Sequence, residues 1–120
     1  MENKENVLKE KSYAFALRIV NLYKFLAMEK KEYVLSKQIL RSGTSIGANV
    51  VEANQAQSKA DFIHKLSISL KEAFETQYWL DLLRDSEFLS HEQTDSLLTD
   101  CRELQKILTV SIKTAKANKT

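Results

Sequence analysis

Apolar residues along this chain recur at steps of three and four rather than two, and the recurrence persists over most of its length. Phe15, Ile19, Leu22 and Leu26, widened by Val20 and Tyr23, form one such stripe and predict a first helix over 7–28. The charged cluster from Glu29 to Glu32 interrupts it and marks the first turn. A second helix is expected over 34–57, with Leu35, Ile39, Ser42 or Gly43, Ile46, Asn49 or Val50, and Ala53 on its inner face. Ser58 and Asp61 have the form of a capping box and open a third helix over 59–85. There Phe62, Leu66, Ser69, Ala73, Thr76, Leu80 and Leu83 alternate strictly at four and three, a sustained heptad seam. Ile63, Leu70, Phe74, Ile68, Trp79 and Leu82 make the same helix apolar on further sides, as expected of a central helix or one at an oligomer interface. Ser90 and Gln93 form a second capping box and begin a fourth helix over 90–117, whose seam is Leu97, Cys101, Leu104, Leu108, Ser111 and Ala115.

Short connections force each helix to run against the one before it. The expected fold is therefore all-α, an antiparallel up-down-up-down four-helix bundle, a single domain over 1–120. At ~1.5 Å per residue such helices give a rod about 35–40 Å long. Composition reinforces the picture, because the chain has no Pro and only 2 Gly and so lacks the turn residues of a sheet or loop-rich fold.

Charge narrows the functional classes. With 18 basic and 16 acidic residues the net charge is +2, too balanced to indicate nucleic-acid binding from composition alone. The single cysteine, Cys101, excludes an internal disulfide framework and suits a reducing compartment. The N-terminus is polar and unlike a signal peptide, and no apolar run approaches the ~18 residues of a membrane span. A soluble cytoplasmic protein with no membrane partner is expected.

Catalytic chemistry has no visible seat. Asp61 and His64 resemble half of a bundle metal site, but His91 has Phe88 rather than an acid three residues before it. Cys101 sits on the heptad seam with no histidine within two turns on the same face, so a small buried hydrophobe is the simpler reading. The stretch from Gly43 to Gly47 has neither the lysine nor the preceding strand of a phosphate loop. No catalytic residue, metal, cofactor or small-molecule substrate is expected.

The second helix is the unusual element. Ser42, Gly43, Ser45, Gly47 and Ala48 crowd its middle, and each mid-helix Gly costs roughly 1 kcal/mol relative to Ala. Close approach of another backbone, inside the bundle or at a contact with another subunit, would offset this, and a local bend in the helix is the other expected reason. Arg41, Ser45, Asn49 and Glu52 step along one side, with Gln38 beside them, as a hydrogen-bonded ladder or as solvated surface.

The run from Gln38 to Ala53, with Arg41, Ser42, Gly43, Ser45, Ile46, Gly47, Ala48, Asn49 and Glu52, closely resembles the signature of the four-helix-bundle family of 23S rRNA intervening-sequence proteins. The likeness continues through Phe62, Leu66, Ala73, Glu75 and Leu80 and covers the chain from about Phe15 to Leu108. It implies a non-enzymatic homo-oligomeric scaffold or adaptor, a ring and by preference a pentamer, with Gln38, Arg41, Ser42, Gly43, Ser45, Ile46, Gly47, Asn49, Glu52 and Glu75 as its packing motif. A related branch is the accessory variability protein of diversity-generating retroelements, which binds a reverse transcriptase and nucleic acid. By that likeness the alternative function is RNA binding, directly or through an RNA-handling protein, at a basic end of the oligomer. An up-down bundle gathers Lys4, Lys9, Lys11, Lys59, Lys65, Lys113, Lys116 and Lys119 at one end, against Glu2, Glu5, Glu10, Glu52 and Asp61, an excess of three positive charges.

Overall fold

A computed structural model describes residues 4–118, and side chains from Val7. Four α-helices account for nearly all of them: α1 (Lys4–Met28), α2 (Leu35–Asn54), α3 (Lys59–Asp85) and α4 (His91–Ala117). Each helix packs on its sequence neighbours, α1 closes on α4, and the backbones of the diagonal pairs stay more than 8 Å apart, which is the square of an up-down-up-down bundle. The long axis measures 50 Å against cross-sections of 23 and 22 Å. A 27-residue helix reaches only about 40 Å. Axial offsets and the connecting turns supply the rest.

The predicted seams form the core. Phe15, Ile19, Leu22 and Leu26 are buried on α1, and Leu66, Ser69, Ala73, Thr76, Leu80 and Leu83 on α3. On α4 the buried line runs through Leu97, Cys101, Leu104 and Leu108 and then shifts from the expected Ser111 and Ala115 to Ile112. A straight helix drifts by about 20° per heptad relative to a seven-residue repeat, so the apolar residue one position on takes over at the end.

The turns are built by polar side chains rather than glycine. The Ser58 side chain accepts from Asp61 N at 3.0 Å, and Ser90 with Gln93 forms a full reciprocal box at 3.1 and 2.9 Å. Because Ser58 must be extended to cap α3, residues 55–57 are spent on the reversal, and α2 stops at Asn54 rather than at 57. Sequence reasoning missed the cap of α2. The Glu32 carboxylate accepts from the backbone N–H groups of Val34, Leu35 and Ser36 at 3.1, 3.0 and 2.6 Å. Partial burial pushes that carboxyl up, but the backbone bonds and the Ser36 hydroxyl outweigh it and hold it below its ordinary value. Lys31 and Glu87 take the left-handed conformation, at φ 56° and 70°, where glycine is usual.

The glycines of α2 face α1 within the same chain. A Cβ on Gly43 would stand 2.7 and 2.8 Å from the two γ-carbons of Ile19, a residue with no exposed surface. Gly47 lies over the Ser12 backbone, but a Cβ there would meet nothing closer than 3.4 Å. Packing inside the bundle thus accounts for Gly43 in full. On the far side, the Ser42 and Thr76 hydroxyls lie 2.9 Å apart and Ser69 donates to the Ile46 carbonyl at 2.8 Å, both in the buried α2–α3 seam. The α1–α4 seam is held differently, by Arg18 reaching Asp100 at 2.6 Å and Ser96 at 2.9 Å, and by Lys11 with Glu103 at 2.7 Å.

The two glycines should therefore respond in opposite senses to alanine. Gly43→Ala gains up to about 1 kcal/mol of helix propensity but overpacks Ile19, for a net loss of about 1–2 kcal/mol. Gly47→Ala should be neutral or stabilising by up to about 1 kcal/mol. Urea unfolding of both variants, with the slope checked for constancy, measures the contrast.

Candidate interaction surface on the second and third helices

The residues singled out on α2 divide into an inner and an outer set. Ser42, Gly43 and Ile46 are buried and engaged with Thr76, Ile19 and Ser69 of the same chain. Gln38, Arg41 and Glu52 are exposed, and Ser45, Gly47 and Asn49 are half-buried. The expected ladder exists in altered form. Ser45 Oγ donates to the Arg41 carbonyl at 2.6 Å, and Asn49 Nδ2 donates to the Ser45 carbonyl at 2.8 Å. Each rung runs from a side chain to the backbone one turn back, because hydroxyls and amides in a helix reach the i−4 carbonyl more readily than each other. Glu52 leaves the ladder for Lys65 of α3, at 3.0 Å, an ion pair that pushes the lysine up.

Across the seam, α3 contributes Glu72, Glu75 and Trp79. Trp79 Nε1 donates to Glu75 Oε2 at 3.1 Å, and the indole meets the Tyr78 ring edge-on at 5.0 Å between centroids. Glu72 is the anomaly. Its Oε2 is shielded from solvent and has no hydrogen-bond partner among the described residues. Burial, then the like charge of Glu75, push the carboxyl up, against opposing pulls from Arg41 and Lys71. Arg41 makes no ion pair among the described residues. The edge of the α2–α3 seam therefore brings together an unpaired guanidinium, an under-satisfied carboxylate and a half-buried tryptophan. Of these, the sequence reading singled out Arg41 as a motif residue, placed Trp79 only in an apolar stripe and did not name Glu72. The available signal for Glu72 was its place beside buried Ala73 and one turn before Thr76.

Chemistry elsewhere is sparse. Cys101 is buried, its thiol 3.2 Å from the Ala73 carbonyl, and burial pushes it up to about 12, so it is a thiol and not a thiolate at neutral pH. Gln105 Nε2 donates to Gln77 Oε1 at 2.8 Å beside it. His64 and His91 are exposed. No group of three His, Cys, Asp or Glu side chains is placed to hold a metal among the described residues. Nor, among them, is any helix long and apolar enough to cross a membrane.

The basic end is weaker than the sequence count implies. Lys11 is paired with Glu103, an acid of α4 that the count omits, and Lys65 with Glu52. Lys9, Lys113 and Lys116 remain exposed and Lys59 half-buried. Lys119 and the side chain of Lys4 lie outside the described residues.

The comparisons recover the same fold. The model of the family described as 23S rRNA-intervening sequence protein matches residues 4–110. The chain belongs to that family. A solved structure from Bacteroides thetaiotaomicron VPI-5482, described as a protein with unknown function from the S23 ribosomal protein family, is 62% identical. The match covers 92% of this chain and 99% of that one, with a TM-score of 0.92. No curated protein matches. For this member of the 23S rRNA-intervening sequence family, the α2–α3 edge is the surface where the family-like motif and the electrostatic anomaly coincide.

Glu72 offers a direct probe of that surface. Its folded-state value lies above its unfolded one, so ionisation weakens the fold and the loss is fully present above the raised value. Glu72→Gln should raise the melting temperature at pH 7, and the advantage should vanish as pH falls toward the ordinary carboxylate range near 4. Thermal melts followed by circular dichroism at the two pH values measure it.

Proposed function

We propose that this chain is a non-enzymatic scaffold or adaptor that works as a homo-oligomer. One observation carries the reading: large apolar side chains stand exposed on the outward corners of two helices that the bundle already holds in place. Leu17 is 51% exposed on α1, and Phe74 and Tyr78 are 55% and 59% exposed on α3. A folded bundle gains nothing from them, whereas contact with another chain would remove their apolar surface from water. Arg41 and Glu72 support the same reading, since a partner could complete the pairing of each. The buried, undissociated Cys101 thiol supports leaving catalysis out. The family resemblance favours a ring, and within rings a pentamer. Size-exclusion chromatography with light scattering should give a mass several times the 13.8 kDa of one chain. A monomer across micromolar concentrations would overturn the proposal.

A second reading, contact with RNA or an RNA-handling protein, rests on Lys9, Lys59, Lys113 and Lys116. Bundle topology gathers them at one end, and none is ion-paired among the described residues. The likeness to the accessory variability protein points the same way. Each oligomer would repeat that end in every subunit, and affinity for structured RNA should then fall steeply between 50 and 200 mM salt, as counterion release requires. Filter binding at two salt concentrations tests it, and no binding at low salt excludes it.

A further inference from the structure

Gly47 is the glycine that packing does not explain. Gly43 is required by Ile19, whereas a Cβ at Gly47 would meet only ordinary contacts, with the Ser12 carbonyl oxygen and the Ser12 Oγ each at 3.4 Å. A glycine in mid-helix nonetheless weakens the helix relative to alanine. What its missing side chain leaves open is a gap over two oxygen atoms of α1.

That gap belongs to a larger feature. Between the outer sides of α1 and α2 runs a half-open groove of about 660 Å³, within the roughly 300–1,000 Å³ typical of small-molecule sites. Lys9, Tyr13 and Ala16 step along it on α1 by four and three, and Gly47, Ala48 and Val51 line it on α2. Its floor is low because the side chains there are short. Tyr13, 67% exposed, and exposed Val51 supply apolar walls.

The polar groups of the groove are few and unequal. Ser12 is only 1% exposed, and its hydroxyl donates to the Lys9 carbonyl at 3.2 Å. No group donates to that Oγ among the described residues, so Ser12 presents acceptor capacity and no proton. Thr44 is engaged on its own helix, donating to the Leu40 carbonyl at 2.7 Å. Lys9 is exposed, and its ammonium has no ion pair among the described residues. Glu10 is turned about 100° round the helix from Lys9, off the line of Tyr13 and Ala16 and toward the outer rim.

We propose that this groove binds a small aromatic acid that carries a ring hydroxyl. The hydroxyl donates to Ser12 Oγ through the gap at Gly47, the ring lies along Tyr13, Ala48 and Val51, and the carboxylate meets Lys9 one turn away. A donor is called for at the floor because the buried serine has only lone pairs to offer. An acid is called for at the end because the cation, and not Glu10, stands on the groove line. The site lies within one chain and does not rest on the homo-oligomer reading.

Titration of the whole wild-type chain with 4-hydroxyphenylacetate, followed by amide shifts in TROSY NMR, should give saturable changes centred on Tyr13, Gly47 and Ala48. Phenylacetate lacks the ring donor and 4-methylphenol lacks the carboxylate, and each should bind about three- to tenfold more weakly. Gly47→Ala is the decisive variant. Its methyl group stands over Ser12 Oγ at van der Waals distance and bars the approach of a donor, while the helix is kept or strengthened. This variant should bind 4-hydroxyphenylacetate no better than phenylacetate. Lys9→Gln should instead erase the advantage over 4-methylphenol and keep the advantage over phenylacetate. Should Gly47→Ala fail to fold by circular dichroism, Ser12→Ala removes the same acceptor and should lose the same preference. No saturable change in the wild type, changes centred away from the groove, or a hydroxyl preference that survives these substitutions would overturn the proposal.

Discussion

The whole bundle depends on how near α2 can come to α1. Gly43 sets that distance, since the space a side chain would occupy is filled by Ile19. With α2 held there, its opposite side meets α3 through Ser42, Ile46, Ser69 and Thr76, where small residues and two buried hydroxyl contacts take the place of interlocked aliphatic chains. Each such hydrogen bond nets roughly 1 kcal/mol when made and costs more when broken, so register is specified more sharply than leucine packing alone would do. The seam fixes heights, and the heights decide what stands level with what on the outer corners.

That order of dependence explains why the outside of the molecule is so uneven. Residues that serve the inner seam are small, so the side chains flanking them at its edge, Arg41 and Glu72 among them, sit close to two helices without a fitting partner on either. The strain is electrostatic rather than conformational. On the diagonal corners the constraint is absent, and Leu17, Phe74 and Tyr78 stand exposed there.

The fold was legible in the sequence because its signals were periodic. Seven-residue spacing picked out the buried side of α3 from Leu66 to Leu83, with only Phe62 in the first turn left half-buried, and Ser58 and Ser90 marked helix starts by a local mechanism that needs no tertiary context. Non-local features escaped. Glu32 caps α2 from outside the usual position because Lys31 turns left-handed, and nothing in the pattern of residues announces such a turn without glycine. The pairing of Lys11 with Glu103 depends on which helices are neighbours, so the charge count at the basic end came out too high. On α2, spacing placed Ile39, Ile46 and Ala53 on the inner face but left Ser42 or Gly43 and Asn49 or Val50 open; both Ser42 and Gly43 are buried, and Val50 rather than Asn49. Gly43 was absorbed by the bundle, while Arg41 and Glu52 were left outside.

The α1–α4 seam has a bearing on how the molecule forms. Every other helix contact joins neighbours in sequence and needs only a short loop to close, so most of the contacts that define the fold are local ones. Chains of this kind fold fast, on microsecond to millisecond scales, because little loop entropy is lost before contacts accumulate. The exception is the joining of the first helix to the last, where the long polar arms of Arg18 and Lys11 reach acids of α4 at the rim of the shared core. During synthesis three helices can assemble as they emerge, with one flank of Ile19 and Leu22 still wet. The fourth then closes over them, steered by charges that reach farther than methyl groups do.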